Sequence, residues 1–177
     1  MFIYRKATLK DSPEIEFLMN LSINEIIGKI VDERELEAAK ESMGLDTQLV
    51  EDGSYFLVFE KEQLIGAGGY SLRSTLFGGD HTPNRSDTML EPDKDFAKIR
   101  AMYTHPDWIR KGVGSFILEL SERKAKEKGF NKYELMATVS GIFLYEKKGY
   151  VVEDEVKYIS RLGNKVSMYK MTKEVNE

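Results

Sequence analysis

No cysteine occurs among the 177 residues. The chain therefore forms no disulfide, offers no thiolate nucleophile and holds no metal through sulfur. Histidine is nearly as scarce: His81 and His105 are the whole supply, too little for a His-rich site, so no metal is expected. No run approaches the roughly 20 apolar residues that a membrane-spanning helix needs. Met1–Lys6 lacks the cationic region and apolar core of a secretory leader, which points to a cytoplasmic home and no membrane partner. Positive charge is not in excess either. The 26 Lys and Arg face 30 Asp and Glu, a net −4, which argues against nucleic acid as the main partner. Internal repeats and low-complexity tracts are also missing. What remains is an ordinary balance of 41% apolar and 32% charged residues, in a length that suits one domain spanning residues 1–177.

Residues 2–7 read as a short edge strand. Asp11, with Glu14 three residues on and Pro13 in the first turn, predicts a capping box opening a helix. Its apolar stripe is Ile15, Leu18, Met19, Ile26 and Ile27. A second helix is predicted from Asp32 to Met43, ending at Gly44. Its high charge and weak apolar content suit a mobile cover better than a core element. Tyr55–Phe59 is apolar throughout, as a strand buried on both faces would be. A polar turn at 60–63 and the run Leu64–Tyr70 complete a hairpin. Gly66, Gly68 and Gly69 weaken that second strand, so they imply close approach by another backbone or a ligand. Residues 74–95 have loop composition, and a loop this long is usually functional or disordered.

The next strand, 97–104, closes at His105-Pro106. Arg110-Lys111-Gly112-Val113-Gly114 then opens a helix whose Val113, Phe116, Ile117 and Leu120 share one face, with Gly129 as its C′ residue. A strand at 132–138, a short helix at about 141–147, and strands around 150–160 and 165–171 follow. The order is β-α-α-β-β-β-α-β-α-β-β, a mixed α/β sheet rather than a regular βαβ repeat.

The turn at 110–114 carries the chemistry. Peptide N–H groups at a helix start lack intrahelical partners, and the helix dipole adds positive charge there. Gly112 and Gly114 let a diphosphate approach the backbone, and Arg110 and Lys111 add charge beside it. A tight structural turn is the plain alternative. The P-loop pattern fails for want of a closing Gly-Lys-Ser/Thr, and Ile117 stands where a dinucleotide fingerprint needs its third glycine.

The run Lys98–Ser115, read with its flanks, closely resembles the acetyl-coenzyme A motif of the GNAT superfamily of N-acetyltransferases. Downstream, Gly141–Tyr150 resembles the superfamily's second signature, a helix with a tyrosine near its end followed by Gly-Phe/Tyr. The element order is similar over essentially the whole chain, and Gly69–Asp80 resembles a stretch of one bacterial branch. The resemblance implies a GNAT fold: a mixed central sheet of six to seven strands, splayed at the acetyl-CoA site, with helices on both faces. It implies that Met102, Tyr103 and Thr104 offer backbone groups to the pantetheine arm. Arg110, Lys111, Gly112, Val113, Gly114 and Ser115 would wrap the pyrophosphate, and Tyr145 would lie near the sulfur. Ile109 departs from the pattern, where many members carry Gln or Arg; contacts through main-chain N–H survive that change.

The implied reaction moves an acetyl group from acetyl-CoA, a co-substrate, to a primary amine of a small molecule or amino-acid-like acceptor. A phenol can give a proton to the leaving thiolate, and Tyr145 is the candidate general acid. A packed aromatic is its plain alternative. His105, before a proline, reads as structural. On the acceptor side, Asp80 could orient a cationic amine and Arg73 or Arg100 could bind a carboxylate, though a solvated loop explains them equally. Glu134 could relay a proton only if its side chain faces the cleft. Two other readings stay open: a non-catalytic acyl-CoA-binding or regulatory domain, and a nucleotide-binding module. A protein amine as acceptor and a homodimer also remain possible.

Overall fold

The computed structural model describes residues 1–176. In chain order the strands and helices are β1 (Ile3–Lys6), α1 (Ser12–Glu25), α2 (Glu33–Ser42), α3 (Thr47–Glu51), β2 (Tyr55–Glu60), β3 (Gln63–Ser71), β4 (Ala97–Thr104), α4 (Val113–Lys126), β5 (Lys132–Thr138), α5 (Ile142–Lys147), β6 (Val151–Ile159) and β7 (Lys165–Glu174). The seven strands form one sheet in the order β1-β2-β3-β4-β5-β7-β6. Every neighbouring pair is antiparallel except β4 and β5.

The doubly apolar strand β2 explains how the sheet acquires cover on both faces. Tyr55 and Leu57 join the cluster built by α1 and α2, whereas Phe56 and Val58 join those built by α4. The period-2 alternation of a strand makes this division obligatory. The glycines of β3 admit helix α4. A Cβ on Gly66 would sit 2.6 Å from Val113 Cγ1, and one on Gly68 would sit 2.5 Å from Ile117 Cγ2. Side chains of α4, rather than a backbone or a ligand, make the close approach at Gly66 and Gly68, whereas the Ser54 carbonyl makes it at Gly69.

Two local expectations need correction. Asp11 does not cap α1 with Glu14. Its carboxylate accepts from the Thr8 N–H at 2.7 Å and from both Arg5 guanidinium nitrogens at 2.8 Å, closing a short 3-10 turn ahead of the helix. The strong charge pair to Arg5 outcompetes the helix start for this side chain. Helix α2 is no loose cover. Ala38 and Ala39 are fully buried. Glu37 accepts from Ser160 Oγ and Asn164 Nδ2, tying the helix to the β6–β7 turn. A capping box of Asp32 with Glu35 opens it. Among the described residues, no helix is long and apolar enough to cross a membrane.

Candidate active site

The parallel ladder between β4 and β5 pairs only Ala97 with Tyr133 and Lys98 with Glu134. Beyond that point the strands diverge, and the edge of β4 that faces β5 is left without a strand partner. A bulge marks the same place. Against β3, Tyr103 opposes Ala67 and Arg100 opposes Gly69, so Ala101 and Met102 both fall opposite Gly68. Ala101 takes a left-handed φ of +50°. One inserted residue reverses the facing of everything after it. Ile99 accordingly packs in the α4 cluster, whereas Tyr103, an even number of residues on, packs with α1 and α2.

The turn into α4 is built from two left-handed residues, Arg110 at φ +62° and Gly112 at +87°. Gly112 is required for its conformation, since a Cβ there would meet nothing within 4 Å. Gly114 is required for space, since its Cβ would lie 2.9 Å from Leu144 Cδ2. The first intrahelical bond runs from Phe116 N–H to Gly112 C=O, which leaves the N–H groups of Val113, Gly114 and Ser115 in the donor-rich first turn. Arg110 lies over the Phe143 ring at 5.4 Å and so reaches from this turn to α5.

A cleft of about 510 Å³ runs from this turn along the diverging strands to the end of α1. Met102, Tyr103, Thr104, Arg110, Gly112, Gly114 and Ser115 all line it. Lys111 and Val113 do not. The Lys111 ammonium sits 5.0 Å from the Trp108 ring centroid, and the Val113 side chain is buried beneath β3. Val113 therefore offers a ligand only its backbone.

Tyr145 lies at the inner end of the cleft. Gly141, at the start of α5, makes room for its ring, because a Cβ there would come within 2.8 Å of Tyr145 Cε2. Tyr150 packs edge-on against the same ring with centroids 5.9 Å apart and is itself anchored through its hydroxyl to Glu122 at 2.9 Å. The Tyr145 hydroxyl points at the bulge, 3.7 Å from Met102 Sδ. Burial pushes this phenol up to about 12. A smaller chamber of about 90 Å³ continues beyond it between β4 and β5. Met43, Met102, Tyr103, Thr138 and Tyr145 line both spaces, so the phenol stands at their junction.

The three acceptor candidates do not meet in the cleft or the chamber; Arg73 and Arg100 instead share a separate cavity of about 220 Å³ with Asp46 and Arg85. Arg100 is 3% exposed and donates to Asp46 Oδ2 at 2.9 Å and to the carbonyls of Thr75 and Gly78. Asp46 also receives Arg85 at 2.7 Å. Arg73 pairs with Asp52 at 2.8 Å, and Asp80 accepts the N–H of Thr47 at the start of α3. These side chains brace the long loop against β4 and α3. Arg100 also borders the chamber; Arg73 and Asp80 line neither the cleft nor the chamber. Glu134 is held by Lys98 and Lys170 and faces neither cavity. Burial raises its pKa, but the two lysines outweigh that and hold the carboxylate below its usual range.

Sequence reasoning missed Met43, Thr138 and Phe143 as lining residues, and the Arg85–Asp46–Arg100 group altogether. The dipeptide Asp46-Thr47 was a usable signal, since such a pair marks a helix start and Asp46 does accept from Gln48 N–H.

The model for the acetyltransferase (GNAT) family matches residues 15–150. No curated protein matches the sequence at a significant level. Among solved structures, a GCN5-related N-acetyltransferase from Rhodopseudomonas palustris has a TM-score of 0.71 at 18% identity, covering 98% of this chain and 95% of its own. PaiA N-acetyltransferase from Thermoplasma acidophilum, solved with coenzyme A, gives 0.66 at 18% identity and 99% coverage of both chains. The ribosomal-protein-S18-alanine N-acetyltransferase from Escherichia coli gives 0.61 at 14%, covering 100% of this chain and 96% of its own. At these identities the likeness is one of fold.

Proposed function

The chain belongs to the GNAT acetyltransferase family, and on that premise we propose that it moves an acetyl group from acetyl-CoA to a primary amine of a small or amino-acid-like acceptor, by direct attack. The observation that carries this reading is the placement of Tyr145. Its phenol stands where the cleft meets the chamber, beside the bulge of a strand whose edge is open.

The cleft fits acetyl-CoA in shape and charge. A flexible arm can lie along the open edge of β4, and a diphosphate can meet the first-turn N–H groups of α4 and the Arg110 guanidinium. Open space beside Gly112 keeps that approach clear. Acetyl-CoA supplies an acyl group already activated as a thioester. The protein's own part is to align the partners, which removes much of the entropic barrier. Unpaired N–H groups on β4 can stabilise negative charge growing on the carbonyl oxygen. Tyr145 gives its proton to the departing sulfur. Burial keeps the phenol protonated throughout the physiological range, and burial raises a thiol's pKa by the same cause, which keeps donor and acceptor matched. Arg73, Asp80 and Arg100 serve the acceptor indirectly, by fixing the loop whose Phe77 borders the chamber.

Tyr145→Phe tests the assignment. Turnover should fall by about 100-fold or more, as expected for loss of a general acid. Affinity for CoA, measured by calorimetry, should stay unchanged. Unchanged turnover would remove the acid role, and a domain that only binds acyl-CoA would show no turnover to lose.

A further inference from the structure

Among the described residues, neither the cleft nor the chamber is lined by an aspartate, glutamate or histidine. The charged side chains that do line them are cationic: Arg110 and Lys147 in the cleft, Arg100 in the chamber. Several titratable groups on the surrounding elements are engaged elsewhere, and Glu146 of α5 lines neither space. Asp46, at the start of α3, is shared between Arg85 and Arg100. Glu41 of α2 accepts from the Tyr158 hydroxyl and the Arg161 N–H. Glu134 of β5 lies between Lys98 and Lys170. His81 bonds the Glu41 carbonyl through Nε2 at 2.8 Å and borders neither space. Tyr103 and Tyr145 are the remaining titratable groups in the lining. The other walls of the chamber are largely thioether and aromatic, from Met43, Met136, Met168 and Phe77.

An ammonium ion entering this space would lose its hydration and find no anion in the lining to pair with. Its nitrogen would also have no lone pair to attack with. No carboxylate or imidazole in the lining stands ready to take its proton. Resting on the acetyltransferase reading above, we infer that the acceptor reaches the site as a neutral amine, having lost its proton to solvent. At neutral pH the site therefore selects weakly basic amines, such as the α-amine of an amino-acid amide or peptide, over strongly basic alkylamines. The step balances with the Tyr145 phenol as the only proton carrier. The nitrogen lone pair forms the C–N bond, and the C–S bonding pair leaves with sulfur. Sulfur takes the Tyr145 proton, and the surplus proton on nitrogen restores the phenol.

The test compares glycinamide with propylamine, similar in size but differing in basicity by about 2.5 pH units on the α-amino and Lys reference values. CoA release is followed from pH 7 to pH 10, and kcat/KM is expressed per total amine. The ratio of propylamine to glycinamide cancels any enzyme titration common to both. It should be about 1/300 at pH 7, the ratio of their neutral fractions, and climb to about 0.3 at pH 10. A ratio near one at pH 7, where both amines are mostly ammonium, would mean that the enzyme itself deprotonates the bound ammonium, and would overturn the inference while leaving acetyl transfer intact. Calorimetric CoA binding with no transfer to either amine would overturn the small-amine reading, and the inference would fall with it.

Discussion

At the scale of single residues, glycine acts in different ways around the cradle, and the differences are measurable. Gly112→Ala forces a side chain into a left-handed conformation and should cost about 1–2 kcal/mol in denaturant unfolding. Gly69 has no tolerance for bulk, because a Cβ there would lie 2.0 Å from the Ser54 carbonyl oxygen. Gly69→Ala should accordingly leave little folded protein, as read by thermal melts of the soluble fraction. Asp46 belongs to another class. It is 5% exposed and holds two arginines, so Asp46→Ala leaves the buried Arg100 guanidinium uncompensated. A loss of about 3–5 kcal/mol is expected on denaturant unfolding. The glycines were legible in the sequence because a turn's requirements are local. The role of Arg100 was not, because its partner lies 54 residues away and nothing near either residue signals the pairing. Tyr145 was legible through its resemblance to a signature, but the Gly141 and Tyr150 contacts that orient it needed the fold.

At the scale of elements, the packing of α4 on β3 and the bulge in β4 are one construction. Gly68 lies beneath Ile117 and opposite the bulge, with its absent Cβ 2.5 Å from Ile117 Cγ2 and 2.9 Å from Met102 Cγ. Gly68→Ala should destabilise by about 1–3 kcal/mol through overpacking. Ile117→Ala opens a cavity on its own and should cost about 2–5 kcal/mol. Together they should cost less than the sum, because one change relieves the other, and a double-mutant cycle in urea measures that coupling. Strict additivity would show that the two do not press on each other. The unbroken apolar run of β2 and the single apolar face of α4 made those two elements readable from the chain. Helix α3 was missed because its five residues carry no stripe and its start is capped by Asp46 and Asp80, the latter reaching in from the long loop. Helix α2 was misjudged because Ala38 and Ala39 add little apolar signal yet permit tight docking on β7.

At the scale of the whole molecule, element order and sheet composition were readable from the chain, since each segment's pattern agreed with its neighbours. The splay between β4 and β5 entered only through resemblance, because divergence of two strands leaves no mark in either one's residues. Ionisable groups scattered over the fold set its pH range. Asp11 is held below its usual range by Arg5, and Asp52 by Arg73. Glu134 is shifted the same way, its lysines outweighing burial. For each, the unfolded chain binds the proton more tightly, so the stability gained is present above about pH 4 and lost as pH falls below it. Burial raises Tyr55, Tyr103 and Tyr150, whose contribution is complete below about pH 10 and lost above it. The melting temperature should thus be level near neutrality and fall at both extremes, as a pH series of thermal scans would record. The central claim is that the gap between β4 and β5, closed by the turn at 110–115, receives acetyl-CoA. Calorimetric titration of the protein and of Gly114→Leu with acetyl-CoA, with ATP as the competitor, tests it most directly. The account predicts micromolar binding that ATP does not displace and that Gly114→Leu weakens severely, with the variant's thermal unfolding still cooperative. Absence of binding, or binding that the folded variant keeps, would contradict it.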